Sequence, residues 1–166
     1  MILTPELPSE EEVRQFIKES NLIENISDPR EIDQSLKAWD VLIRESKLTH
    51  ELICMVQGII TYNQQDLRPE ERGQYRNIES KNFVTVNDRA VPTGFMVEFL
   101  MDNWLLDYED LDPREAHIRF EHIHPFVDGN GRTGRMLMNW QYIQMGKPIC
   151  IIRNATKFED YYPWFD

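Results

Sequence analysis

The sequence predicts an all-α fold with a single β-hairpin, and three observations lead to this fold class. A chain of 166 residues, 41% hydrophobic and 28% charged, suits one soluble domain over residues 1–166 with its own core. Apolar residues recur at helical spacing through most of the chain. Only one stretch, about residues 74–91, carries short β-favouring segments instead, which predicts a hairpin.

The first three helices are predicted from their N-terminal signals. Ser9 and Glu12 form the pattern of a capping box, and the apolar residues behind them predict a helix over about residues 10–26. Asp28, followed by a proline, begins a second helix because Asp caps and proline suits the first turn. Thr49 is expected to cap a third helix.

The middle of the chain departs from helical spacing. Residues 63–72 are polar and contain a proline, which predicts a loop. Two short β-favouring segments follow, at residues 75–78 and 83–86, and we expect them to pair as a hairpin. Helical spacing resumes at Phe95.

The C-terminal third reads as helix, loop and helix. Asp112 and the proline after it begin a helix that leads into HPFVDGNGRTGR, residues 124–135. The next helix ends at Gly146, and residues 157–165 predict a last short helix.

Net charge excludes some functions. The chain has 18 basic and 29 acidic residues, a net charge of -11, which argues against a general binder of nucleic acids or anionic membranes. If the protein uses phosphates, it must concentrate a few arginines in one place.

The cysteines and the N-terminal residues indicate in which cellular compartment the protein is expected. Cys54 and Cys150 lie far apart without a disulfide or metal-binding pattern, so we expect free thiols in a reducing environment. The N-terminal residues lack the features of a secretory signal, and the most apolar run, residues 51–60, cannot span a bilayer. We therefore expect a cytoplasmic protein.

The stretch HPFVDGNGRTGR has the features of an anion-binding turn. Pro125 discourages helical backbone at His124 and so ends the preceding helix. Gly129, Asn130 and Gly131 permit left-handed conformations, whose successive N–H groups can form an anion-binding nest. A helix begins directly afterwards, and its N-terminus favours the same charge.

The charged residues of the stretch suit phosphate chemistry. Arg132 and Arg135 are spaced i, i+3 and can supply fork-shaped donors to phosphate oxygens. Asp128, with phosphate oxygens and water, is a typical environment for magnesium. His124 is the nearby side chain whose pKa suits a base at neutral pH. Together these groups predict phosphoryl or nucleotidyl transfer.

Three of the four histidines, His117, His122 and His124, fall within eight residues, so a zinc site is conceivable. However, His117 and His122 are five apart and diverge on a helix. We expect these two to pack or to form hydrogen bonds.

HPFVDGNGRTGR resembles the signature of the Fic family, HxFx(D/E)GNGRxxR, at every specified position. The GxxR segment of residues 73–76, the stretch AHIRFEHIHPF, and MLMN after the motif are also similar to this family, so the resemblance covers about residues 15–165. It implies a Fic fold: a helical bundle with a central helix–loop–helix carrying the motif at residues 124–135, and a β-hairpin flap at about residues 74–91.

The resemblance also implies an activity, because family members transfer AMP from ATP to a target hydroxyl and release pyrophosphate. His124 is then the base towards a Ser, Thr or Tyr hydroxyl, and Asp128 holds magnesium. Phe126 anchors the loop, and the flap aligns a target segment by strand addition. The implied nucleotide-binding residues are Gly129, Asn130, Gly131, Arg132, Arg135 for the γ-phosphate, and Asn139 near the nucleotide.

The segment of residues 20–25, SNLIEN, resembles the inhibitory motif of the family, (S/T)xxxE(G/N), placed N-terminal to the Fic motif as in its intramolecular class. Ser20 and Glu24 are one helical turn apart and share a face. Glu24 could therefore pair with Arg135 in the place that the γ-phosphate needs. The alternative is that Glu24 is one of many solvated acids.

Together with its net charge, the resemblance of the sequence to the Fic family thus implies a magnesium-dependent protein adenylyltransferase that Glu24 inhibits, with ATP and a target protein as partners and no nucleic acid or membrane. Two rivals remain: removal of AMP by the same site, with Glu24 orienting a water, and a catalytically silent nucleotide-binding module. The target and the oligomeric state, including a homo-oligomer, stay open.

Overall fold

Seven α-helices and one short hairpin make up the part of the chain that the computed structural model describes, residues 6–80, 85–86 and 88–166. The helices are α1 (Glu10–Ile23), α2 (Pro29–Leu42), α3 (His50–Ile60), α4 (Gly94–Asp107), α5 (Pro113–Ile123), α6 (Asn130–Gln144) and α7 (Lys157–Asp160). The strands are β1 (Thr85–Val86) and β2 (Arg89–Ala90). Single 3-10 turns lie at Pro69–Glu71, Tyr108–Asp110, Asn154–Thr156 and Tyr162–Phe165. The predicted all-α fold class is confirmed.

The helix starts follow the capping signals of the sequence. Ser9 and Glu12 form a reciprocal capping box, and the side chains of Asp28, Thr49 and Asp112 each accept a hydrogen bond from a backbone N–H of the following turn. These four predictions are confirmed, because a cap involves only residues close in sequence.

The first helix ends three residues earlier than predicted. Asn25 has a left-handed backbone with φ of 59°, and the N–H of Ile26 turns back to the carbonyl of Asn21. The prediction of a helix to residue 26 is therefore wrong, and Glu24 lies at the C-cap of α1.

The hairpin is shorter than the predicted flap of residues 74–91. β1 and β2 pair antiparallel, with Thr85 opposite Ala90. The predicted strand at residues 75–78 is wrong, because the N–H of Arg76 donates to the carbonyl of Pro125 and not to a neighbouring strand. Residues 83–84 of the second predicted strand lie outside the described residues.

The motif helix α6 lies at the centre of the fold. It packs against α1, α3 and α5, and most of its residues are buried although its sequence is not strongly apolar. The main core surrounds it with large side chains such as Phe120, Phe126 and Trp140. The N-terminus of α6 is thereby held rigidly between other elements.

The C-terminal segment closes the bundle beside α6. Tyr161 packs with Ile23, Met138 and Ile152 in a second apolar cluster. The Tyr161 hydroxyl lies 2.8 Å from Nε2 of His117, whose ring stacks on it. Burial, and secondarily the charge of Arg135, lowers the pKa of His117 to about 3. His117 is thus a neutral packing residue, as predicted.

Cys54 and Cys150 are free thiols, as predicted. Burial raises the pKa of the Cys54 thiol to about 11, which makes it unreactive at neutral pH. No described helix combines the length and the apolar composition that a bilayer crossing demands.

We predict that the free energy of unfolding falls as pH drops below about 6.5, in part because of His117. The unfolded chain binds a proton on this residue in that range while the folded chain does not, so stability falls by up to about 1.4 kcal/mol per pH unit. In His117→Gln, which keeps an acceptor for Tyr161, the loss between pH 7 and pH 5 should be smaller by about 2 kcal/mol. Urea unfolding at both pH values measures the difference. Equal losses in the two proteins would show that His117 is protonated in the fold.

Candidate active site

A cavity of about 1060 Å³ opens at the N-terminus of α6. The ends of α1 and α5, the hairpin and the C-terminal segment form its other walls. The motif residues supply polar groups to the lining, and the hairpin region and the C-terminal segment supply most of the apolar and aromatic groups. These apolar lining residues are Val86, Val91, Pro92, Phe158, Tyr162 and Phe165.

The side-chain amide of Asn130 holds the motif loop by hydrogen bonds to the backbone. His124 ends α5 with φ of 51°, and Gly129, with φ of 79°, is the N-cap of α6. The Asn130 side chain accepts from the N–H of Phe126 and donates to its carbonyl, both at 2.8 Å. Phe126 is buried, as predicted.

One prediction about this loop needs correction. Asn130 and Gly131 are already helical, so only Gly129 among these three has a left-handed backbone and the expected nest is wrong. The side chain of Asn130 binds the backbone of Phe126, so the group that it offers to a phosphate is its backbone N–H.

The N-terminus of α6 has unsatisfied donors. No side chain among the described residues caps this helix, and the first N–H groups of any helix lack intrahelical acceptors. Arg132 lies on the first turn and donates from Nη2 to Oε1 of Gln64 at 2.7 Å. Its Nε and Nη1 atoms are buried without an acceptor in the described part of the chain. This end of the cavity is therefore suited to an anion.

Arg135 is 1% exposed and is surrounded by acceptors. Its Nε donates to Oγ of Ser20 at 2.8 Å, and Nη2 donates to the Ser20 carbonyl at 3.0 Å and to Oε1 of Glu24 at 2.7 Å. Nη1 donates to the Tyr161 hydroxyl at 3.1 Å. The structure thus brings together Ser20, Glu24 and Arg135, the three residues that the sequence linked.

The Glu24 carboxylate lies directly over the first turn of α6. A Cβ added at Gly131 would overlap Oε1 of Glu24 and crowd the guanidinium of Arg135. Gly131 is therefore needed for space and not for a special backbone angle. The carboxylate occupies the place where the helix N-terminus favours an anion.

Arg76 braces the loop, and sequence reasoning did not assign it a role beyond the GxxR resemblance. Its buried guanidinium donates from Nε to the His124 carbonyl at 2.7 Å and from Nη2 to the carbonyls of Pro92 and Ile123. Burial, and then the charge of Arg76, lowers the pKa of His124 to about 4. His124 is therefore neutral at pH 7, as a general base must be.

Asp128 is exposed at the rim of the cavity. Its Oδ1 accepts from the N–H of Gly129 at 2.7 Å and its Oδ2 accepts from Nε2 of Gln64 at 2.5 Å. Gln57 donates to its carbonyl at 3.0 Å. Within the described ranges, no three acidic, histidine or cysteine side chains converge as a metal cage. The donor set fits a hard cation that brings phosphate oxygens and water as further ligands.

Asn139 and His122 each contact another group of the protein. The Asn139 amide is occupied by the backbone of Cys150, donating to its carbonyl at 3.0 Å and accepting from its N–H at 2.7 Å. It does not line the cavity, so its expected position near the nucleotide is corrected. His122 lies 2.7 Å from Arg89 of the hairpin, in line with the expected hydrogen-bonding role.

Sequence comparison places these features among known proteins. "Protein adenylyltransferase Fic" of Nematostella vectensis is 39% identical over 107 residues, which cover 59% of this chain and 24% of that protein. Its namesake in Drosophila virilis is 49% identical over 107 residues, covering 57% of this chain and 20% of that protein. The chain spans about a quarter or less of the length of these relatives.

Structure comparison identifies the same fold. A Fic domain containing signaling protein from Bacteroides thetaiotaomicron matches with a TM-score of 0.72 at 20% identity, over 90% of this chain and 69% of that one. Fic-1 from C. elegans matches with a TM-score of 0.68 at 19% identity, over 93% of this chain and 55% of that one. Residues 47–142, more than half of the chain, match the model of the Fic/DOC family. The chain therefore belongs to the Fic/DOC family.

Proposed function

We propose that this chain is a protein adenylyltransferase that transfers AMP from ATP to a hydroxyl of a target protein, and that Glu24 restrains it. The observation that carries the proposal is the anion site at the N-terminus of α6, which has a neutral histidine at one end and a Glu24–Arg135 pair at the other. The names of the relatives support the same activity.

The two kinds of residue that line the cavity match the two parts of a nucleotide. The unsatisfied atoms of Arg132, the N–H groups at the start of α6, and Arg135 suit the triphosphate. The apolar and aromatic lining residues suit the nucleoside, whose base has large apolar faces.

The reaction needs a base at the mouth of the phosphate site. The hydroxyl oxygen of the target attacks the α-phosphorus while its proton passes to the neutral imidazole of His124. The bond between the α-phosphorus and the bridging oxygen breaks, and pyrophosphate leaves with that oxygen. The positively charged groups around the phosphates stabilise the charge that develops there.

Magnesium fits this site through Asp128, the carboxylate at the cavity rim. When bound with ATP, the ion would neutralise phosphate charge. Gln64, which donates to Asp128 and accepts from Arg132, links the proposed metal ligand to a proposed phosphate ligand.

The hairpin is the proposed docking site for the target. Val86 and Arg89 of the two strands line the same cavity as His124. A segment that adds to a strand edge by main-chain hydrogen bonds would bring a hydroxyl towards the base with little demand on its sequence.

We predict that Glu24→Gly increases self-modification with ATP and magnesium by roughly tenfold to a hundredfold, the worth of one charged hydrogen bond. The physical reason is that the variant frees Arg135 and the first turn of α6 for the triphosphate. Incorporation of AMP labelled at the α-phosphate measures the effect.

The matched control is Glu11→Gly, which removes an exposed acid from the same helix. It should behave like the parent protein. Equal labelling of the parent and the Glu24 variant would remove the basis for the restraint.

We predict that His124→Ala, made in the Glu24→Gly protein, lowers AMP transfer by about 10²–10⁴-fold, the usual contribution of general base catalysis. ATP affinity measured by calorimetry should change little, since His124 holds no phosphate. His50→Ala, which removes an imidazole outside the cavity, is the control. Transfer at the parental rate by the His124 variant would exclude it as the base.

A further inference from the structure

Glu121 is an acid in the cavity that the proposed reaction does not use. It lies on α5, one turn before His124, and it lines the cavity. Its Oε1 atom is buried and has no hydrogen-bond donor in the described part of the chain. A buried carboxyl oxygen without a donor is costly, and a hydrophobic residue here would avoid that cost.

Arg135 attracts the Glu121 carboxyl but makes no hydrogen bond to its Oε1 atom. Four of the five N–H groups of its guanidinium donate to Ser20, Glu24 and Tyr161. Burial raises the pKa of Glu121 to about 7, against the charge of Arg135, which lowers it. Because Glu121 lines the cavity, a molecule that fills the cavity can supply the missing donor.

Glu121 does not lie on the face of α5 that packs in the main core. That face carries Ala116, Phe120 and Ile123. His117, Glu121 and His124 follow one another at i, i+4 and i+7, so they share another side of the helix. His124 and Glu121, both on that side, line the cavity.

The chemistry of the cavity selects the donor. Phosphate oxygens only accept hydrogen bonds, so a triphosphate cannot satisfy a carboxylate. A nucleoside offers ribose O–H groups and, in adenine, an exocyclic N–H group. We propose that Glu121 is a specificity-determining residue whose carboxylate accepts a hydrogen bond from an O–H or N–H group of the nucleoside. This inference rests on the proposed function, because it takes the ligand to be a nucleotide.

The test measures binding and not catalysis. In the Glu24→Gly protein, calorimetry at pH 8, where the carboxylate is ionised, gives the affinity for ATP with and without Glu121→Val. The valine variant should bind ATP roughly tenfold to a hundredfold more weakly, the effect of losing a hydrogen bond to a charged group. Glu121→Gln, which retains an acceptor oxygen, should lose less ATP affinity. It replaces the valine variant in the test if that variant does not fold.

Three analogues identify the nucleoside group. These are 2′-deoxy-ATP, 3′-deoxy-ATP and the triphosphate of purine riboside, which lacks the 6-amino group. The analogue without the donor should bind the Glu121→Val protein as tightly as the unsubstituted one, while the other two should lose affinity as ATP does. Glu115→Val removes an exposed acid from the same helix and should leave every affinity unchanged.

Two results would overturn the inference. If Glu121→Val binds ATP as tightly or more tightly, Glu121 is neutral towards the nucleotide or repels it. If ATP and all three analogues lose the same factor, Glu121 only maintains the shape of the cavity.

A parallel assay of AMP transfer separates this inference from the proposed function. Binding that depends on Glu121 without any transfer would contradict the proposed function alone. Transfer with an affinity that is independent of Glu121 would contradict the inference alone.

Discussion

The burial of Arg135 is the constraint on which the rest of the site depends. A guanidinium that is 1% exposed must be given acceptors inside the protein, and three of its four hydrogen bonds end on residues of the N-terminal helix and its cap. When α1 packs against the rest of the fold, it therefore also supplies the acceptors that Arg135 needs. The helix residue and the cap residue differ, because Ser20 is buried whereas the Glu24 side chain is 39% exposed. In the proposed function, Ser20 would keep its contacts with Arg135 while the triphosphate replaces Glu24.

A second buried arginine positions His124, the proposed base. Arg76 donates to three backbone carbonyls, two of them at the end of α5, and so holds His124 in its left-handed conformation. Burial, and then the same positive charge, lowers the pKa of His124 and keeps the imidazole unprotonated at pH 7. The Asn130 side chain completes the arrangement by closing the loop on Phe126 before any ligand arrives.

How far the sequence predicts this structure depends on the range of each interaction. Helix caps such as Ser9 and Asp28 were predictable because their partners are two or three residues away. Contacts over long separations were not: Gln64 reaches both Asp128 and Arg132 from a loop that has no distinguishing composition. Asn130 and Asn139 were assigned to the nucleotide through the resemblance alone, and their side-chain amides bind backbone. The pairing of Glu24 with Arg135 was anticipated only through resemblance, since no local rule joins residues so far apart.

In the proposed function, whether Glu24 or the triphosphate binds Arg135 depends on the number of positive groups that each anion can contact. Glu24 brings one negative charge and contacts Arg135 beside Gly131, at the edge of the anion site. A triphosphate carries more charge and can span Arg135, the free atoms of Arg132 and the N–H groups at the start of α6 together. The net charge of the chain, -11, repels the triphosphate as it repels any anion. This repulsion weakens the binding of an anion that contacts only one of these groups. Because Glu24 is tethered and the nucleotide is not, the proposed restraint requires that the nucleotide make all these contacts together before it replaces Glu24 at Arg135.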